Sequence, residues 1–142
     1  MQPYRHKVQY YETDRMGITH HSNYIRWMEE ARIDFLAQID WSYARMEQMG
    51  ILSPVTAVDC RYKASTTFDD EVEISVWVEE LKNVKLLIGY RMTRVSDGTE
   101  VCTGHSEHCF LTPSGQVIRL RRDYPALYET LSSLAGQGSP VV

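Results

Sequence analysis

No run of apolar residues in the 142-residue sequence approaches the ~20 needed to span a bilayer. The opening MQPYRHKVQYYE also has no apolar core of the signal-peptide kind, so a cytoplasmic protein without membrane contact is expected. Cysteine is scarce. Cys60, Cys102 and Cys109 are odd in number and form no CxxC pair, which argues against a disulfide framework and for reduced thiols. A GxSxG nucleophile elbow and a phosphate-cradling P-loop are both missing, leaving serine hydrolysis and nucleotide hydrolysis without a motif. Excess positive charge is missing too: 15 Lys and Arg stand against 19 Asp and Glu, and the net charge of −4 argues against non-specific nucleic-acid binding. His105, His108, Cys102 and Cys109 lie close in sequence. On a strand, however, residues 105 and 108 point to opposite faces, as do 102 and 109, so a single tetrahedral metal site is not expected and no cofactor is implied.

What is present is an ordinary globular composition, 43% hydrophobic and 24% charged. A chain of this length fits one domain, expected over residues 1–135 with a flexible tail at 136–142, and there is no internal repeat or linker. Tyr4 to Glu12 reads as a strand with Tyr4, His6, Val8 and Tyr10 on one side. A long amphipathic helix follows from Tyr24 to near Gln38, with Tyr24, Met28, Ala31 and Phe35 at helical spacing. A short helix at Tyr43–Met49 is stopped by Gly50.

Beyond Gly50 the hydrophobic period changes to two. Val58, Cys60, Tyr62 and Ala64 alternate with polar neighbours, as do Val72, Ile74, Val76 and Val78, and then Leu86, Ile88, Tyr90 and Met92. The turn Ser96-Asp97-Gly98-Thr99 predicts an antiparallel hairpin into a fourth strand, Glu100–Thr112, whose small residues should pack against the long helix. An extended piece at Val117–Leu120 and a last helix from Pro125 to about Leu134 complete the order. An α+β domain, an antiparallel sheet wrapped around one long central helix, suits it. Trp77 stands alone on a polar strand face and hints at a subunit contact.

The stretch Tyr10 to Arg32 joins these parts. Asp14 and Gly17 make a turn, His20 and His21 lead into Ser22-Asn23, a good N-cap pair, and the acid therefore faces a helix start. Unpaired N–H groups there favour a developing oxyanion, and a carboxylate opposite could serve as base or nucleophile. Read alone, Asp14 could equally be a turn residue. Glu29 and Arg32, three apart, read as a surface ion pair.

The linked pattern Tyr10-x-x-Thr13-Asp14-x-x-Gly17-x-x-x-His21-x-Asn23-Tyr24, followed by Glu29-x-x-Arg32, resembles the hotdog-fold acyl-CoA thioesterases similar to 4-hydroxybenzoyl-CoA thioesterase. The resemblance covers roughly residues 4 to 135. It implies hydrolysis of an acyl-CoA to a free acid and coenzyme A, in dimers built by joining two sheets and often paired into tetramers. It makes Asp14 the catalytic carboxylate, as nucleophile or as general base. His21 supplies a backbone N–H to the thioester oxygen, and Tyr10 stands near the acid. A tyrosine in the core would serve for Tyr10 as well, and Asn23 suits turn support.

Arg61 and Lys63, alternate residues on one strand face, are the first candidates for the coenzyme A phosphates, followed by Arg91 and Arg94; solvated surface charge is the bland alternative for each. The acyl pocket should draw on Tyr24, Trp27 and Met28, or these are simply core. Two rival functions share the fold: a non-catalytic module that binds acyl thioesters, and a thioesterase for acyl carrier protein.

Overall fold

A computed structural model describes residues 1–136, and the tail expected from Gly136 lies, from residue 137 on, outside the described residues. Strand β1 (Tyr4–Lys7) is followed by a 3-10 turn at Tyr10–Glu12 and by helices α1 (Ser22–Gln38) and α2 (Tyr43–Gln48). Strands β2 (Val55–Tyr62), β3 (Glu71–Leu81), β4 (Leu86–Arg94) and β5 (Glu100–His108) come next. Helices α3 (Leu120–Asp123) and α4 (Pro125–Leu134) close the chain. The five strands form one antiparallel sheet in the order β1-β3-β4-β5-β2. Its concave face holds α1, the hotdog arrangement that the motif implied.

The period-two residues explain the inner face. Val76, Tyr90, Gly104 and Cys60 lie in one row across β3, β4, β5 and β2, because Val76 pairs with Tyr90, Tyr90 with Gly104 and Gly104 with Cys60. Against that face α1 buries Tyr24, Trp27, Met28, Ala31 and Phe35. Gly104 is where the helix comes closest: a Cβ there would collide with Met28 Cε and the Asp59 carbonyl. The expected packing of small β5 residues against the long helix is therefore found. Gly98, at φ 72°, makes the predicted β4–β5 turn.

Several expectations are corrected. The first strand stops at Lys7 because the chain must wind into the 3-10 turn that delivers residues 13–21 to the helix. Strand β5 stops at His108 rather than Thr112, and of the expected extended piece Val117 makes only an isolated bridge to Leu111 while Leu120 begins α3. Arg32 is not a surface partner of Glu29. It is buried, its Nε–H and Nη1–H donating to the Tyr43 and Tyr90 hydroxyls at 3.1 Å each. Trp77, partly exposed, also packs over Gly89 of its own chain, where any Cβ would meet the indole ring, an arrangement that leaves its expected subunit contact open.

Strand β2 departs most from its pattern. It pairs only with β5 and leaves its other edge open, and Val55, Val58 and Tyr62 are 47%, 43% and 48% exposed. The dry face that its alternation predicted is only partly covered in the single chain. Among the described residues no helix is long and apolar enough to cross a membrane.

Candidate active site

The turn before α1 is built by its own backbone. Asp14 N–H donates to Ile18 O and Gly17 N–H to Asp14 O, each at 2.9 Å, and Thr13 bridges to Thr19. Gly17 sits at φ 79°, which a residue with a Cβ adopts only at a cost. The Met16 N–H donates to Asp14 Oδ1 at 2.8 Å, so one carboxylate oxygen is held while Oδ2 has no partner among the described residues. Half-buried, Asp14 lines an open cleft of about 420 Å³ with Met16, Ile18, His21, Tyr24 and Tyr62.

His21 caps α1 in helical backbone (φ −57°, ψ −27°) without a side-chain bond, so the expected Ser22-Asn23 cap pair is displaced by one residue. Ser22 instead pairs its hydroxyl with His20 Nδ1 at 2.8 Å. Asn23 supports the turn, its amide donating to Glu12 O at 2.9 Å and His20 O at 3.3 Å. Thr19, His20, Asn23 and Tyr24 N–H groups are all spent on carbonyls, but the His21 N–H has no acceptor among the described residues. It stands beside the positive end of a 17-residue helix, and His21 lines the cleft with Asp14.

Aromatic residues shape the rest. The Tyr62 hydroxyl donates to His21 O at 3.2 Å, and its ring lies 5.3 Å from that of Tyr24. Burial, then the adjoining Cys60, push the Tyr62 phenol up to about 12, so it stays a donor. Burial raises Tyr24 as well, and its hydroxyl meets Thr66 Oγ1 at 3.0 Å. Trp27 and Met28, expected near the acyl group, are fully buried core. The Cys60 thiol faces Met28 Sδ at 3.9 Å and the Cys102 thiol the Thr103 carbonyl at 3.7 Å, and the two neighbouring thiols act on each other so that Cys60 is lowered and Cys102, also buried, is raised.

Among the described residues Tyr10 makes no hydrogen bond to the acid. Its ring is 76% exposed, edge-on to Phe68 at 5.7 Å, and its hydroxyl is unpartnered among the described residues; its contribution to the turn is a carbonyl that accepts from Thr13 N–H and Oγ1. Lys63 lies on the cleft wall, just past the end of β2, and pairs with Glu100 at 2.7 Å. Lys63 and then Arg91 hold that carboxyl below the usual carboxylate range. Arg61 is exposed and has no ion-pair partner among the described residues. Arg94 is committed to Asp97. His105 pairs with Asp59 while His108 is buried against Ser106, on opposite faces of β5.

The sequence reading passed over Glu12. It is 4% exposed, under the Asp14 turn, and accepts from Trp27 Nε1–H at 2.7 Å. The signal was available: continued past Tyr10, the period-two register that puts His6 and Val8 inside puts a charged residue there as well.

The thioesterase-like superfamily profile matches residues 8–121. A protein of Aquifex aeolicus provisionally named an esterase is 33% identical over 120 residues, covering 84% of this chain and 91% of its own. YneP of Bacillus subtilis, provisionally named an acyl-CoA thioesterase, is 30% identical over 119 residues, covering 84% and 86%. The crystal structure of a DHNA-CoA thioesterase from Staphylococcus aureus superimposes with a TM-score of 0.88 at 33% identity, covering 93% of this chain and 89% of that one.

Proposed function

The chain belongs to the thioesterase-like superfamily and is a thioester hydrolase, and from that premise we propose that it cleaves acyl-CoA to a free carboxylic acid and coenzyme A. Asp14 is the catalytic carboxylate. Either it takes a proton from water as the water attacks the carbonyl carbon, or it attacks that carbon itself, expelling CoA thiolate and leaving an acyl-aspartyl anhydride for water to open. The thioester oxygen, gaining negative charge in both routes, is received by the His21 N–H and the positive end of α1. The observation that carries this reading is a pairing: Asp14, with one oxygen uncommitted among the described residues, and His21, whose helix-start N–H has no acceptor among them, line the same cleft.

The Tyr10 carbonyl fixes Thr13 beside the acid. Arg61, free of an acidic partner among the described residues, and Lys63 are the cations for the CoA phosphates. The open edge of β2, with Val55 and Val58 exposed, is suited to pairing with β2 of a second copy, giving a homodimer and, through further pairing, a homotetramer; sedimentation velocity distinguishes these from a monomer. The three thiols are free, which suits the reducing cytoplasm.

The test is thiol release from a panel of acyl-CoAs, with acyl carrier protein thioesters alongside. Asp14→Asn keeps the Oδ1 acceptor for Met16 N–H and should fold like the parent while kcat falls at least ~100-fold. Parent-like turnover by Asp14→Asn would remove the basis for this mechanism.

A further inference from the structure

Glu12 is the one buried carboxylate among the described residues, and it is saturated with donors. Oε1 accepts from Gln9 N–H and faces His6 Nε2, both at 2.8 Å; Oε2 accepts from Trp27 Nε1–H at 2.7 Å. Its backbone carbonyl accepts from His20 N–H at 2.8 Å and from the Asn23 side chain at 2.9 Å. These partners come from β1, from the 3-10 turn, from the segment entering α1 and from α1 itself. Beyond His6 the chain continues: His6 Nδ1 lies 3.0 Å from Glu30 Oε1, which also accepts from the Tyr4 hydroxyl at 2.8 Å. Burial pushes the Glu12 acid up, but the donors of Gln9, His6 and Trp27 outweigh it and leave the carboxyl below its ordinary range.

We propose that Glu12 is a positioning residue for thioester hydrolysis: it ties the Asp14 turn to the first two turns of α1 and so fixes the gap between the Asp14 carboxylate and the His21 N–H. This rests on the roles given above to Asp14 and His21. Asp14 lies two residues after Glu12, and His21 immediately follows the residue whose N–H Glu12 accepts, so one residue anchors both ends of the reacting gap. The backbone carbonyl would survive any substitution, but only a carboxylate can meet Gln9, His6 and Trp27 together. A glutamine has a single acceptor oxygen, and whichever way its amide is turned, its NH2 meets either the Trp27 N–H or the Gln9 N–H, donor against donor. The turn must then shift.

Catalytic groups displaced by about 1 Å lose on the order of 100-fold in rate. The experiment measures kcat, KM and thermal melting for the parent, Glu12→Gln, His6→Asn and, as a control, Leu127→Ala, which opens a core cavity in α4. Kinetics are read at a temperature where circular dichroism shows every variant folded. The expected result is a kcat for Glu12→Gln reduced about 10- to 100-fold with KM within about threefold. His6→Asn should fall in the same sense by less, while Leu127→Ala loses melting temperature but keeps kcat. A folded Glu12→Gln within threefold of the parent kcat, or changed only in KM, overturns the proposal. If Glu12→Gln fails to fold, His6→Asn decides by the same criterion, an unchanged kcat counting against it. Asp14→Asn is measured in parallel. Should it turn over at the parent rate, the reading of the site is what fails, whereas an inactive Asp14→Asn beside a fully active Glu12→Gln sinks only the positioning role.

Discussion

Replacing His21 by proline removes a single backbone donor that the fold leaves unused. The His21 φ of −57° lies within the range to which proline is locked, and proline is tolerated in the first turn, where N–H groups have no intrahelical acceptor. Because the His21 N–H has no acceptor among the described residues, no internal hydrogen bond is lost with it. His20 precedes α1, so the bias of a pre-proline residue against helical backbone does not oppose the helix. The Tyr62 hydroxyl can still donate to the carbonyl at position 21. What the substitution does remove, besides the imidazole, is the proposed donor to the thioester oxygen.

His21→Ala subtracts the imidazole, so the ratio of the two variants isolates the N–H. One oxyanion donor is worth roughly 2.7–4 kcal/mol, so His21→Pro should have a kcat about 100- to 1,000-fold below that of His21→Ala. KM should change little, since the bond matters most once charge develops. The assay is thiol release under saturating acyl-CoA, with melting curves to show that both variants fold. If His21→Pro matches His21→Ala within threefold while melting normally, the helix start does not hold the oxyanion and the proposed geometry is wrong.

Two further outcomes follow from the charge distribution. Burial, and then the Arg32 charge, hold the His108 imidazole down to about 4, against an ordinary value near 6.5. Its neutral form therefore contributes stability in full above pH ~6.5, and that contribution, at most about 3 kcal/mol, is lost as pH falls toward 4. In urea melts at fixed protein concentration, the parent should lose about 2–3 kcal/mol more than His108→Gln between pH ~7 and ~4.5; equal losses would show that His108 is not the group responsible. Arg61→Ala should raise KM for acyl-CoA about fivefold, corresponding to ~1 kcal/mol for an exposed cation, and leave KM for the matching acyl-pantetheine unchanged. A rise of the same size with both substrates would place Arg61 away from the nucleotide.

Much of the fold was legible because the signals were redundant. Alternation, turn chemistry at Ser96–Thr99 and the helical spacing of Tyr24, Met28, Ala31 and Phe35 agree with one another and with the observed β3, β4, β5 and α1. Legibility failed where a residue's role depends on chain distant in sequence. Arg32 reads as the surface partner of Glu29 from spacing alone, yet its guanidinium is satisfied by Tyr43 and Tyr90, 11 and 58 residues away. Val58 alternates like a half-buried strand residue, but the periodicity cannot say how far that face is covered, and among the described residues α1 covers it at Cys60 while leaving Val58 43% exposed. For the site, the motif identified the Asp14 and His21 neighbourhoods, because a turn acid and a helix start are local features. For Tyr10 the strand assignment, carried five residues too far to Glu12, put it on the inner face beside Glu12, whereas the 3-10 turn leaves Tyr10 exposed and keeps Glu12 buried.

The same turn separates two acids only two residues apart. Glu12 is enclosed and has three donors aimed at its carboxylate, so its negative charge is already compensated and it has little to offer an incoming electrophile. Asp14 has one backbone donor on Oδ1, partial exposure and an unengaged Oδ2. A carboxylate stripped of all donors would be costly to bury, and one fully saturated would be a poor base or nucleophile; Asp14 lies between. The 3-10 turn at Tyr10–Glu12 is what assigns the two states, since it sends one carboxylate inward under Trp27 and leaves the other to the cleft. Unwinding this turn into the extended strand its sequence pattern suggests would turn Tyr10 to the same face as Glu12 and break the Glu12 N–H to Gln9 O and Thr13 N–H to Tyr10 O bonds that set where the Asp14 turn begins.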